Sequence, residues 1–165
     1  MIDLMNAFIF DKLQNAFNRQ KIKLYRKKYK IHSTASLNHI ENIWFKGTIE
    51  IGANTYINSG RFISGTTTKV IIGEWCAIGH NVNIIGWTHD IIHSTGPLDE
   101  RPTIEKDILI GNHNWIGSNV FIREGVVIGN NTIIAANSVV TDNIPDNAIV
   151  GGVPAKIIKY KFDDN

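Results

Sequence analysis

The sequence is short of residues that cross-link a chain. It has one cysteine, Cys76, in 165 residues, which excludes an internal disulfide and leaves no Cys cluster to hold structural zinc. No apolar run approaches the roughly 20 residues needed to span a bilayer. The apolar stretch near Phe8 to Phe10 is flanked by Asp3 and Asp11, so a secretory leader is not expected. Together these absences point to a reducing cytoplasm. Charged residues make up only 19% against 43% hydrophobic, a balance that excludes disorder and solvated low-complexity polymers. The length suits one domain with its own core and is too short for two.

The net charge of +2 hides an asymmetry. Residues 1–30 hold eight Lys/Arg against Asp3 and Asp11, or +6; the remainder has nine basic and 13 acidic residues, or −4. A basic arm on a mildly acidic body invites an anionic partner. Its basic residues are not interleaved with base-reading aromatics, so nucleic acid is not expected. Contact with the inner face of a membrane is the other candidate.

An internal repeat has a period of six. Ile51, Ile57 and Ile63 are in register, then Ile72, Ile78 and Ile84, then Ile110, Ile116, Ile122, Ile128, Ile134 and Val140. Gly follows the aliphatic directly at Gly52, Gly73, Gly79, Gly111, Gly117 and Gly129. Four places after the aliphatic stands a small or β-branched residue: Thr55, Cys76, Val82, Thr88, Val120, Val126, Thr132, Ser138. A helix repeats every 3.6 residues and a plain strand every two, so six implies a short strand and a turn, repeated. Three strands and three corners close one coil, and coils stack through parallel ladders. The glycines are expected to give the corners their backbone freedom. The fold class is therefore all-β, a parallel β-helix.

Two breaks interrupt the register. Ile63 to Ile72 spans nine residues, which places three extra near Gly65 to Thr68. Ile84 to Ile110 spans 26, so an external loop of about 87–107 leaves the coil carrying His89, Asp90 and His93. Excursions from a rigid scaffold are where function concentrates. The outward place before each aliphatic holds Trp44, Tyr56, Phe62, Trp115, Phe121, Val127, Ile133 and Val139; so much apolar surface points to association between subunits. Residues 1–34 form a basic, mostly helical arm, in which Ile2, Met5, Ile9, Leu13, Ala16 and Phe17 make a stripe suited to capping the first coil. The β-helix spans 35–154, and 155–165 form a polar tail.

Across about residues 35–160 the chain resembles the hexapeptide-repeat acyltransferases, most closely the galactoside and maltose acetyltransferase type and the small O-acetyltransferases of surface-polysaccharide synthesis. The stretch Ile110-Gly111-Asn112-His113-Asn114-Trp115-Ile116-Gly117-Ser118, then Val139-Val140-Thr141 and Gly152-Val153-Pro154-Ala155-Lys156, carries the resemblance. It implies a left-handed coil, a homotrimer, acetyl-CoA as co-substrate, a sugar or glycan acceptor and no metal. The hand comes from the resemblance alone, since the general crossover rule favours the right. In such enzymes one histidine at the start of the protruding loop is the general base, and it matches His89. An acceptor-contacting asparagine matches Asn58 in Tyr56-Ile57-Asn58, with Asp90 beside the base as a further acceptor-side residue. Positions that contact CoA match Ser118, Ala136, Lys156 and Lys159, with Trp115 and Gly117 alongside. At 142 the galactoside type often has lysine where this chain has Asp142, so one cationic contact to CoA is missing or replaced.

The chemistry suits these residue types. An imidazole, ordinarily titrating near 6.5, can take a hydroxyl proton as that oxygen attacks a thioester. Positioned base catalysis contributes roughly 10²–10⁴-fold. Asp90 either orients the imidazole or is a solvated loop acid. Cys76, in an inward place, reads as a packed thiol rather than an acyl carrier. Two other functions share the solenoid. A zinc enzyme of the γ-carbonic anhydrase type would need three converging histidines, for which His80, His89 and His93 are available. A non-catalytic scaffold would need neither a His-bearing loop nor a CoA-like C-terminal segment.

Overall fold

The computed structural model describes residues 2–44 and 47–162, with 2–4, 41–44 and 98 described through their backbone only. A helix, Ile2–Lys28, precedes a triangular solenoid of about five coils. The first face stacks Lys30–Ile31, Thr48–Ile51, Lys69–Ile72, Ile108–Ile110 and Val127–Ile128 as parallel strands, and Ile144 bridges to Ile128. The second face runs from the starts of Ser36–Trp44 and Tyr56–Ile63 through Ala77–Ile78, Trp115–Ile116 and Ile133–Ile134 to Ala148–Gly152. The third combines the ends of the same two long strands with Val82–Ile85, Phe121–Ile122 and Val139–Val140.

Eleven of the twelve aliphatics in the six-residue register are buried, so their stacking forms the core. Ile63 is the exception, and its neighbour explains why. The second corner of that coil is one residue short: Ile57 aligns with Ile78, but Phe62 rather than Ile63 aligns with Ile84. Gly60, at φ 150° and packed against Val82, makes the shortened corner. Phe62 thus points inward at 0% exposure, and the expected inward Ile63 and outward Phe62 are exchanged. Thr88 also departs from its expected inward place. It is exposed because the chain has already left the coil. Trp44 and Ile2, assigned to outward and capping stripes, have side chains outside the described residues.

The corner glycines have a different role from the one expected. Those after the aliphatics do not have positive φ. They are required by stacking: a Cβ on Gly117 would lie 2.6 Å from the Ala136 nitrogen, and one on Gly52 2.6 Å from the Glu74 nitrogen. The left-handed residue comes three places after the aliphatic, at Asn54, Trp75, Asn81, His113, Asn119, Asn131, Asn137 and Asn147. Asparagine tolerates that conformation and can bond locally. Its amides also stitch coils together: Asn81 Nδ2 donates to Asn119 Oδ1 at 3.0 Å and Asn119 Nδ2 to Asn137 Oδ1 at 3.1 Å. At the other corner the Trp75 and His113 rings stack with planes 5° apart.

The helix caps the first coil, but with its last turns. Ile22 and Tyr25 pack against the core beside buried Tyr29, and Arg26 Nη1 donates to the His32 carbonyl at 2.7 Å. The stripe from Met5 to Phe17 takes no part and stays exposed. At the far end the chain is not a plain tail: Ala155–Tyr160 folds back antiparallel on Ala148–Gly152. Of the outward apolar residues, Tyr56, Trp115, Phe121 and Val127 are exposed.

Candidate active site

The external loop is an arm with its own ladder. Trp87–His89 pairs antiparallel with Thr103–Glu105, placing His89 opposite Thr103. A short 3-10 turn, Leu98–Glu100, lies between these strands. The root of the arm is tied to the three-residue insertion in the neighbouring coil. Glu105 accepts from the Thr66 backbone N–H at 2.6 Å and from the Thr66 hydroxyl at 3.1 Å. Asp107 accepts from the Lys69 N–H at 3.0 Å. Both breaks in the hexapeptide register thus meet at one anchor.

His89 sits at this root, partly buried. The Trp87 ring meets it edge-on, centroids 5.4 Å apart, which restrains the imidazole plane. Its Nδ1 is buried and has no hydrogen-bond partner among the described residues. Leaving a buried polar atom unpaired costs roughly 1–3 kcal/mol, and the burial of Nδ1 leaves only the other ring nitrogen for an incoming group. Asp90 does not orient it. The Asp90 carboxylate accepts from the His93 backbone N–H at 3.0 Å and lies 3.0 Å from His93 Nδ1. The backbone bond from His93, then its ring, holds the Asp90 pKa below the ordinary carboxylate value.

A groove of about 550 Å³ opens on the second face and its corner with the third, lined in part by Asn58, Trp115, Gly117, Ser118 and Ala136. Five residues matched to acceptor and cofactor positions, scattered over 79 residues of sequence, therefore share one cleft. The repeat explains this: each lies at or beside the same corner in successive coils. Asn58 Oδ1 accepts from Asn38 Nδ2 at 3.0 Å, which holds its amide across the groove's edge. Trp115 is 58% exposed and forms a wall.

Lys159 extends the same face. It is in register with Ile149, which pairs with the groove residue Ile133. Lys156 Nζ lies 3.3 Å from Asp142 Oδ2, so the acid that replaces a lysine takes up a lysine instead. His89 does not line this groove. Within one chain the imidazole and the cleft stand apart.

Cys76 is packed as expected, its Sγ 3.2 Å from the Gly111 carbonyl, and burial pushes its thiol pKa up, against any thiolate role. Among the described residues no three His, Cys, Asp or Glu converge, so His80, His89 and His93 do not form a triad within one chain. The sequence reading missed the Glu105–Thr66 anchor. A signal was present in the acid at the loop's exit, but nothing local pairs it with a threonine 39 residues earlier.

Residues 107–142 match the bacterial transferase hexapeptide (six repeats) family. A protein of Dictyostelium discoideum named as an acetyltransferase is 36% identical over 155 residues, covering 89% of this chain and 79% of its own. The chain belongs to the hexapeptide-repeat acetyltransferases. The galactoside O-acetyltransferase of Escherichia coli is 37% identical over 127 residues, 72% of this chain and 61% of that protein. Among solved structures, a hexapeptide-repeat acetyltransferase of Vibrio cholerae in complex with acetyl-CoA superposes with a TM-score of 0.70 at 31% identity, covering 86% of this chain and 76% of that one. The chain spans about three-fifths of the Escherichia coli relative's length. As in the family, the coil is a left-handed parallel β-helix.

Proposed function

We propose that the protein is an acetyl-CoA-dependent O-acetyltransferase that modifies a sugar hydroxyl in the cytoplasm during surface-polysaccharide synthesis. The observation that carries this reading is the convergence of Asn58, Trp115, Gly117, Ser118 and Ala136 on one groove in a chain of this family. Galactoside acetylation by a relative supports a sugar acceptor, and the acetyl-CoA complex of a structural neighbour supports the donor.

The groove is mostly apolar, suited to a pantetheine arm laid against Trp115 and the corner backbones at Gly117 and Ala136. Lys159 and Lys156, at the open end of the same face, meet phosphate as point charges. Asp142 neutralises part of the second. His89 would face this groove from a neighbouring subunit, because no single coil brings the two together. A homotrimer meets that need and covers the exposed Tyr56, Trp115, Phe121 and Val127.

Transfer is direct. The acceptor hydroxyl donates to an unprotonated nitrogen of His89, its oxygen attacks the thioester carbonyl, and the imidazole takes the proton. The C–S bond then breaks, and the thiolate leaves with the proton that His89 returns. Asn58 holds the acceptor, while Asp90 and His93 shape its approach through the arm's turn. No acyl-enzyme forms, in keeping with the packed Cys76. Thiol release from acetyl-CoA across a panel of sugars tests the activity, and His89→Ala tests the base. The expected loss in kcat is roughly 10²–10⁴-fold; full transfer by that variant removes His89 from the mechanism.

A further inference from the structure

We infer that the N-terminal helix is a docking surface for an anionic lipid bilayer. The helix has two halves of different chemistry. Residues 5–17 are exposed on every side and carry Met5, Phe8, Ile9, Phe10, Leu13 and Phe17, with Asp11 and Lys12 the only charges. Phe10 is 65% and Phe17 71% exposed, which is costly for large apolar side chains in water. Residues 18–30 carry seven cations and no acid. This second half docks on the solenoid through Ile22 and Tyr25.

Helical spacing aligns the two halves. Lys23 and Lys27 follow Met5 and Ile9 by 18 residues, or five turns, and so stand on the same line of the helix, turned away from the Ile22–Tyr25 side. One continuous line therefore passes from apolar to cationic, and a bilayer surface satisfies both parts. Apolar side chains enter the acyl boundary, and lysines meet anionic head groups. A second copy of this chain fits less well, because it would bring another seven cations against these. The acidic balance of the body, −4 outside residues 1–30, keeps the solenoid itself off such a surface. No described helix is long and apolar enough to cross a membrane, so the helix lies on the surface.

The test is sedimentation of the full chain with phosphatidylcholine vesicles, with and without phosphatidylglycerol. Binding is expected only with phosphatidylglycerol, and it should weaken as salt rises. The Leu13→Glu/Phe17→Glu and Lys23→Glu/Lys27→Glu double variants are each expected to bind about tenfold less. Circular dichroism and the mass from light scattering should stay unchanged. Absence of binding by the intact chain, or equal binding to neutral vesicles, overturns the proposal. A fall in oligomer mass in either variant overturns it in favour of a contact between copies. Acetyl transfer to a soluble acceptor is a separate readout, expected to survive both variants, so failure here is distinct from failure of the enzymatic reading.

Discussion

The coils and the arm are built from similarly short strands, yet they satisfy their polar groups by different means. In the regular coils inward polar side chains such as Asn114 and Thr55 are paired with neighbouring rungs, although Ser64, beside the three-residue insertion, is buried with no partner among the described residues. Asn114, 1% exposed, donates to the Gly111 and Gly129 carbonyls at 2.9 Å and accepts from the Thr132 N–H and hydroxyl at 2.7 and 2.8 Å. Thr55 does the same on a smaller scale, donating to the Gly73 carbonyl and accepting from the Cys76 N–H. The arm is tied to the coils at few points, chiefly Glu105 to Thr66 and Asp107 to Lys69, and His89 Nδ1 has no partner among the described residues. Redundant bonding suits a scaffold, whereas sparse bonding leaves a loop able to adjust.

Three changes sharpen this contrast. The largest effect is expected for Asn114→Ala, which strands several buried partners at once; a loss of about 2–4 kcal/mol should appear as a lowered denaturant midpoint for the whole chain. Glu105→Ala should act locally. It is expected to raise hydrogen exchange of residues 87–93 by about tenfold, equivalent to roughly 1 kcal/mol, with the midpoint almost unchanged. A global loss of stability in that variant would show the arm and coils to be one cooperative unit. The smallest effect concerns acid. Because folding lowers the Asp90 pKa, its contacts contribute stability above the ordinary carboxylate value of about 3.9 and lose it as pH falls through the folded value. The Asp90 side-chain carboxyl carbon, followed by NMR, should therefore show its protonation step only below the ordinary carboxylate value of about 3.9.

The solenoid was legible because its signal is periodic and each coil repeats the last. Ile51 through Val140 announced both the period and the core. Details that depend on one coil meeting the next were not. The Gly117 packing against Ala136 is invisible until the coils are stacked, and a single missing residue at the Gly60 corner was enough to turn Phe62 inward. The left-handed Asn place, three residues after the aliphatic, was in the sequence but went unread. The groove residues were matched by resemblance alone, and stacking explains why five of them share one cleft. The partnership of Asp90 with His93 depends on a turn that no periodicity describes. The exposed stripe on the helix reflects a similar limit, since spacing identifies an apolar stripe but not what it faces.

The fold-back of Ala155–Tyr160 onto the last rung has a consequence for size. A parallel stack can in principle grow without limit, each bare edge recruiting the next molecule, as in fibrils. Here the reversed strand occupies the edge of the second face with the wrong polarity for continuation, while the last turns of the helix pack on the first coil at the opposite end. Continuation of the stack is thereby blocked on the second face.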